Sequence, residues 1–516
     1  MAQPIQPFSI TAPGFYGLNL QDSPIDMDMK YALKASNCII DSAGRIASRK
    51  GWAKQHTANT ELSTSNVTCI GELVSNTGTV TMLSAGGGYL YKLVGTTLTT
   101  LTYGGGGSAP TISANNWQFV QLNGIGIFFQ RGHDPLIYDP AVSTTTFRRL
   151  SEHATYAGTV PQANTAISAY GRIWCADTAT DKNTITWSDI ITPQIWTGGT
   201  AGSLDLLGVW PEGGDEIVAL AAHNNFLVIF GKTQILIYSG ANDPASMVLS
   251  DTISTVGCIA RDSIQNVGRD LIFLSTLGLH TLGRVIQEKS SPMADLSRNV
   301  RDEIVGHTAI EANPALIKSI YSTENAFYLL TFPTASEVYC FDLRAKLENG
   351  AARMTTWTSN VPTAFCSTST GVLYFGKAGY IGKYSTYLDD ALTYRMAYIS
   401  PHIDFGDPIM TSILKKIIIT TVSINQPVIV KWAFDFLQRF YSQTVTVNAG
   451  AANAAYYNTS EYNSGAEYTT PVAATVVGVN ASGAGRTIQV GLECNIDNKL
   501  LSLQKIDIYT KRGKLV

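Results

Sequence analysis

EIVALAAHNNFLVIFGKTQILIYSG, Glu216–Gly240, contains two apolar β runs separated by short turns, and the second run ends on an aromatic residue. Ile, Val, Leu and Phe suit a half-buried pleated surface, while the His-Asn-Asn and Gly-Lys-Thr steps supply turn residues. The same unit recurs at Asn116–Pro140 (NWQFVQLNGIGIFFQRGHDPLIYDP), Ala166–Asp189 (AISAYGRIWCADTATDKNTITWSD) and Ile317–Leu343 (IKSIYSTENAFYLLTFPTASEVYCFDL). Ring-bearing anchors that close the second run fall at Tyr91, Tyr138, Trp187, Tyr238, His280, Tyr339 and Tyr380. Their mean spacing is about 48 residues, the period of a four-stranded propeller blade. One such unit cannot cover both of its faces, and radial stacking covers them while leaving only short edges. A mainly β chain with a β-propeller of about seven blades is therefore expected over residues 61–390; an unrelated series of hairpins in a sandwich is the competing fold.

Composition agrees. Charged residues are 15% of the 516 and hydrophobic residues 45%, and the charge deficit is filled by Gly, Ser, Thr, Asn and Tyr, which favour strands and turns over salt-bridged helices. A formal net charge of −3 argues against tight sequence-independent binding of nucleic acid, which requires a basic face that displaces phosphate counterions. It leaves open a conduit through which DNA slides. The seven cysteines, Cys38, Cys69, Cys175, Cys258, Cys340, Cys366 and Cys494, are scattered and form no C-x-x-C pair, so they read as small buried hydrophobes of a chain folded in a reducing cytoplasm. The opening MAQPIQPFSITAPGF lacks the basic and apolar regions of a secretory signal, and no apolar run has the length of a membrane span.

Two parts of the chain depart from the blade pattern. In SPMADLSRNVRDEIVGH, Met293, Leu296, Val300 and Ile304 recur at helical spacing, which predicts a helix over 292–304 capped by Ser291 and ended by Gly306. Past residue 390, the β-branched run Ser412–Val430 and the alternation of Leu503, Lys505, Ile506, Asp507 and Ile508 predict a C-terminal β-sandwich-like domain, 391–516, with strands wet on one face. Residues 1–60 are expected to be an N-terminal arm and hairpin that packs on that domain or on a neighbouring subunit.

No residue pattern carries catalytic chemistry. There is no G-x-S-x-G elbow, and His56, His133, His153, His223, His280, His307 and His402 are isolated, without an H-E-x-x-H or a short His pair. Gly86–Gly88, Gly104–Gly107 and Gly483–Gly485 lie outside any phosphate-loop context and read as turns. The carboxylate pairs Asp215–Glu216, Asp302–Glu303 and Asp389–Asp390 are adjacent in sequence, which on a strand sends them to opposite faces. SDIITPQIW, Ser188–Trp196, lacks the Gly of a sialidase Asp box. Trp117, Trp174, Trp187, Trp196 and Trp210 could furnish a sugar-binding face, but core packing is the commoner task of blade aromatics. No catalytic, cofactor-binding or metal-ligating residue is assigned, no cofactor is expected, and the chain is not expected to be an enzyme.

Three stretches resemble the tail nozzle proteins, also called tail tubular or stabilisation proteins, of short-tailed double-stranded DNA bacteriophages. The first is GLNLQDSPIDM, Gly17–Met27, followed by ALKASNCIIDSAGRIASRKGW, Ala32–Trp52, with Asn-Cys, Gly-Arg and Arg-x-Gly-Trp in order and a hairpin of Asn37–Ile40 with Arg45–Ser48 around Gly44. The second is STVGCIARDSIQNVGRDLIFLSTLGLHTL, Ser254–Leu282, and the third is the stretch Thr487–Tyr509. They are packing and turn motifs, and no site residue is carried over from them. The resemblance implies a homo-hexameric nozzle ring below the portal and the head-to-tail adaptor ring. Such a ring extends the DNA channel, helps retain the packaged genome, passes double-stranded DNA during ejection and anchors tail fibre or spike proteins. It also implies a virion component made in the host bacterial cytoplasm. The alternatives are a carbohydrate-binding or carbohydrate-cleaving propeller, and a scaffold propeller of the kelch or WD class, whose Gly-Gly or Trp-Asp signatures are absent.

Overall fold

The computed structural model describes residues 5–12, 14–112, 116–290, 292, 295–404, 410–423, 426–437, 439–447 and 474–515. The chain is mainly β and forms a β-propeller. Six sheets each carry four strands in meander order outward from a hub, and the second gains Thr102–Tyr103 at its outer edge beside Thr146–Arg149. They begin at the innermost strands Val67–Val74, Gln118–Leu122, Thr165–Ala169, Ile217–His223, Lys318–Ser322 and Ala364–Ser367. Between the fourth and fifth of these lies a three-stranded sheet, Gln265–Asn266, Leu271–Ser275 and Gly278–Thr281, followed directly by the helix Leu282–Glu288. The innermost strands abut in sequence order, except that the 3-10 turn Arg261–Ser263 stands between Ile217–His223 and Lys318–Ser322, and Ala364–Ser367 returns to Val67–Val74 to close the ring.

All seven aromatic and His anchors sit in the third strand from the hub of their sheets. Six of them are buried, and Tyr380 is half-buried. They fill the layers between successive sheets: Trp187 packs with Trp174 and Trp210 beside Leu220 and Leu227 of the next sheet, and Tyr91 packs with Ala364 and Ile381 across the ring's closing seam. The recurrence in sequence is thus the recurrence of one radial position.

The last sheet is completed by a strand from far upstream. Trp52–Lys54 pairs antiparallel with Tyr380–Tyr384 as its outermost strand, which removes an open edge at the seam. Two glycines make this approach possible: a Cβ on Gly51 would stand 1.8 Å from the Leu388 carbonyl oxygen, and one on Gly382 would stand 2.4 Å from the Trp52 ring. Beside it Arg49, fully buried, donates to both carboxylate oxygens of Asp389 at 2.8 and 2.6 Å and to Ser359 at 2.7 Å. Its guanidinium lies 4.1 Å from the Tyr394 ring centroid and 5.5 Å from that of Trp357. Asn37, at φ 54°, donates to the Arg395 carbonyl and accepts from the Thr358 amide.

The fifth four-stranded sheet does not stop at its outer strand. Ala352–Trp357 continues through Lys34–Ser36 to Tyr394–Ile399, Thr487–Ile496, Gln426–Phe434 and Tyr441–Val447. A second sheet runs Ala474–Val479, Met410–Ser423, Leu501–Leu515, Ile46–Ser48, Cys38–Ile40, with Ile5–Thr11 beside Leu501–Leu515 and Gly483–Gly485 beside Met410–Ser423. Ile417, Ile419, Leu503, Ile506 and Ile508 of the second sheet share one core with Val428, Val430, Ile488, Val490 and Leu492 of the first. The hairpin Cys38–Ile40 with Ile46–Ser48 turns at Gly44, φ 72°, as its sequence predicts.

Three local expectations are corrected. The α-helix is Arg301–Ile310, after a 3-10 turn Arg298–Val300, and Gly306 lies inside it. Leu296, Val300 and Ile304 are buried as their spacing predicts. Residues 295–297 are kept out of the helix because Asp295 accepts from the amides of Thr281 and Leu296, and Ser297 from that of Leu279. Ser291 and Met293 lie outside the described residues. Gly483–Gly485 is a strand and not a turn, packed so closely on Phe434 that a Cβ on Gly483 would stand 2.2 Å from its ring. Finally, Asp507 is buried rather than wet, bonded by Ser9 of the neighbouring strand and by Lys505. A register shift at Thr420/Thr421 places the extra residue Gln504 between Lys505 and Leu503, so Leu503 and Ile506 both face the core.

Arg49→Ala would leave Asp389 buried without its main partner. Unfolding in urea is expected to show a loss of about 3–5 kcal/mol relative to the parent chain, and a loss below 1 kcal/mol would mean that the seam does not depend on this pair.

Candidate functional site

The hub is where six sheets and the three-stranded sheet converge, and it encloses a cavity of about 380 Å³. Its wall is built by the starts and middles of the innermost strands and by the 3-10 turn Arg261–Ser263. That turn is set by its own neighbours. A Cβ on Gly257 would stand 2.3 Å from the Lys232 carbonyl carbon, and the Cys258 amide donates to the Gly231 carbonyl. Ser263 Oγ donates to the Ala260 carbonyl and accepts from the Leu274 amide, while Tyr328 OH donates to the Ser263 carbonyl. The chain is therefore drawn inward at Arg261 and Asp262.

Arg261 is 7% exposed and Lys318 8%, and both reach Asp262. Arg261 Nε and Nη2 donate to its two oxygens at 2.7 and 2.8 Å, and Lys318 Nζ donates to Oδ2 at 2.5 Å. Arg261 also holds the Asn116 side chain and the Asn164 carbonyl, and Lys318 donates to Asn116 Oδ1. Burial opposes ionisation of Asp262, but the two cations outweigh it and hold the carboxyl well below the usual carboxylate range. Burial pushes the Lys318 ammonium below the usual lysine range; Asp262 opposes that shift and Arg261 adds to it.

Thr68 and Lys318 border this cavity and also a second one of about 430 Å³, lined by Asn66, Asn116, Arg131, His133, Asn164 and Asn313 among others. A polar plug thus divides the hub. A carboxylate that accepts three charge-assisted bonds is no proton acceptor. The nearest thiol, Cys69, is pushed by burial up to about 12, so no thiolate is available there. The arrangement can bind; it holds no nucleophile with an adjacent base.

The residues weighed in the sequence are dispersed. Asp215 is buried and accepts the amides of Lys232, Thr233 and Gln234, whereas Glu216 points to Lys232 Nζ at 2.7 Å. Asp389 binds Arg49 and Asp390 binds Lys54, and Asp302 and Glu303 sit in the first turn of the helix Arg301–Ile310. Trp117, Trp174, Trp187, Trp196 and Trp210 are all buried, and four of their indole N–H groups donate to carbonyls or to Asn183. Among the described residues no group of three His, Cys, Asp or Glu is placed to hold a metal ion, and no helix is long and apolar enough to cross a membrane. The hub charges were missed in the sequence because Ala-Arg-Asp-Ser reads as a solvated turn. The signal was a charged pair directly after two apolar residues, in a stretch where the chain has no polar run.

No family model matches the sequence, and no curated protein does. Among solved structures, the chain is similar to the extracellular domain of the one component system BT4673 from B. thetaiotaomicron, with 10% identity and a TM-score of 0.42, over 70% of this chain and 46% of that one. It thus spans less than half of that protein. It is also similar to the WD40 β-propeller domain of Doa1, with 11% identity and a TM-score of 0.36, over 64% of this chain and 96% of that one, and to the Neurospora crassa Pan2 WD40 domain, with 10% identity and a TM-score of 0.35, over 65% and 96%. The propeller assignment stands on the strand order of this chain.

Two outcomes follow for its titratable groups. All seven cysteines are buried and their thiols are pushed up by burial, Cys258 to about 11 and Cys366 and Cys494 to about 12. An aromatic disulfide reagent at pH 8 is expected to release no rapid thiol signal from the native chain and seven equivalents in urea. Lys377, which donates to the Val361 carbonyl at 3.2 Å and lies 5.3 Å from the Trp52 ring, is pushed by burial down to about 7, with Asp389 opposing and Arg49 adding to the shift. The unfolded chain then binds the extra proton between about pH 7 and 10, so this group's contribution to stability rises with pH over that window and is lost as pH falls through it. Lys377→Met is expected to flatten that part of the pH–stability curve, and an unchanged slope would contradict the assignment.

Proposed function

We propose that this chain is a structural subunit of the tail nozzle of a short-tailed double-stranded DNA bacteriophage, without enzymatic activity. Six copies would form a ring below the portal and adaptor, extend the DNA channel, help retain the genome, pass it during ejection and anchor fibres or spikes. It would be made in the host bacterial cytoplasm and reside in the virion tail. The observation that carries the reading is the position of the three stretches that resemble this family. Arg49–Trp52 ends the first and lies at the propeller's seam. Gly257–Ser263, in the second, builds the hub wall. The third supplies Thr487–Ile496 and part of Leu501–Leu515, inner strands of the two sheets beyond the propeller. A resemblance confined to such points concerns the building of a rigid body, not a reaction.

The finer architecture belongs to the same proposal. The sheet Gln265–Thr281 counts as a seventh blade, with the helix Leu282–Glu288 where a fourth strand would run. The strands beyond residue 391, with those of the arm 1–60 other than Trp52–Lys54, count as a sandwich-like domain beside the propeller 61–390, whose last sheet Trp52–Lys54 completes. A hub cavity of about 380 Å³ has the size of a small-molecule pocket and cannot admit a duplex, so DNA would run through a lumen bounded by several copies. Such a ring closes through heterologous contacts between identical subunits.

The purified chain is expected to sediment as a monomer, and to appear as a six-fold ring in negative stain once mixed with the portal and adaptor of the same virus. Stable hexamers of the chain alone would overturn that order of assembly. Absence of any ring on the adaptor, with specific capture or turnover on a glycan array, would replace the nozzle by the carbohydrate-directed alternative.

A further inference from the structure

The wall of the hub cavity contains three charged residues, Arg261, Asp262 and Lys318, which leaves one positive charge in excess. The hydrogen-bond inventory locates that excess. Asp262 takes all three of its charged donors from the two cations, and Arg261 spends Nε, Nη1 and Nη2 on Asp262, Asn116 and Asn164. Lys318 has three N–H groups, of which two go to Asn116 and Asp262. The third is left at the boundary of the cavity, on a side chain more than nine-tenths buried. A buried, under-compensated ammonium is costly unless a counter-charge or water meets it. The downward pressure of burial on the Lys318 pKa has the same origin.

The rest of the wall mixes polar side chains, Thr68, Gln118, Gln265, Asn266 and Ser319, with apolar ones. Ile167, Ile320 and Phe365, from three different sheets, and Ile264, just after the 3-10 turn, are each only half-buried and line the cavity. Ordinary packing would have covered these side chains. A cation that shares its carboxylate partner with Arg261 and keeps one N–H to spare, beside four half-exposed apolar side chains, complements a molecule with one negative charge and a short apolar body. The volume of about 380 Å³ is that of a small-ligand site. A phosphate dianion would bring more charge than the wall can neutralise and would leave the hydrocarbon wet.

We propose that the hub cavity is a binding site for a small organic monocarboxylate, with Lys318 receiving the carboxylate and Ile167, Ile264, Ile320 and Phe365 enclosing its hydrocarbon chain. Arg261 and Asp262 are positioning residues that hold the Lys318 ammonium at the wall. The site is independent of the nozzle reading, because it lies within one copy of the chain. Occupied, it would join sheets on opposite sides of the hub through a single ligand and stiffen the wheel.

The test is a titration of the full chain with acetate, butanoate and hexanoate, followed by calorimetry and thermal unfolding at constant ionic strength, with hexan-1-ol and inorganic phosphate as comparisons. Affinity is expected to rise along the carboxylate series by up to about fourfold per methylene buried, and the Tm to rise with concentration of hexanoate. Lys318→Met is expected to weaken hexanoate at least about tenfold, the value of a hydrogen bond to a charged group. Ala222→Phe, which fills the cavity from the innermost strand Ile217–His223, is expected to abolish binding while the chain stays folded, and it decides the matter if the Lys318 variant does not fold. Equal binding of hexanol and hexanoate, tighter binding of phosphate, or hexanoate binding unchanged by Ala222→Phe would each overturn the site.

Discussion

The wheel of sheets depends on closing one seam. Most junctions within the blades join strands that follow one another in sequence, but the last sheet ends at Tyr384 with an edge that Trp52–Lys54 covers. The chain must bring that strand back across more than 300 residues and keep it there. Arg49 does the keeping. Its guanidinium is fully buried and satisfied by Asp389, Ser359 and two aromatic faces. A buried ion pair contributes little net stability against a well-packed apolar substitute, but losing either partner is severe. It therefore favours one arrangement of the seam over looser alternatives, a role attested for buried polar groups elsewhere.

Much of the wheel was legible in the sequence because its radial order is periodic. A four-stranded sheet must bury its third strand between two neighbours, so a large ring-bearing residue there recurs at the length of one unit, as Tyr91, Tyr138, Trp187 and Tyr238 do. The hairpin around Gly44 was legible for a similar reason: its turn needs positive φ, and only one residue in it supplies that cheaply. What was not legible depended on partners distant in sequence. The helix start is displaced by Asp295 and Ser297 reaching the strand Gly278–Thr281, and Asp507 is buried because a strand from the other end of the chain lies beside it. Periodicity registers which face of an element is apolar; it does not register what will cover the other face.

The hub shows the same limit from the side of function. Arg261 and Asp262 lay in a stretch already singled out for its resemblance to the nozzle family, yet nothing local marks them as inward-facing. Only the approach of Gly257 to the Lys232 backbone and the ties made by Ser263 turn the segment toward the axis. Lys318, 56 residues further on, completes the cluster. The five tryptophans, by contrast, invited a surface role from their chemistry and are spent inside the layers.

The pairing of Ile5–Thr11 with Leu501–Leu515 also has a consequence for how the molecule is made. At a synthesis rate of roughly 5–20 residues per second, the leading strand leaves the ribosome roughly 25–100 seconds before its partner exists. Throughout that interval an apolar, hydrogen-bonding ribbon waits with its edge bare, the situation that chaperones guard and that slow, non-local β topologies create. The blades can form one after another as they emerge, but the two sheets outside the wheel knit together only when translation is nearly done.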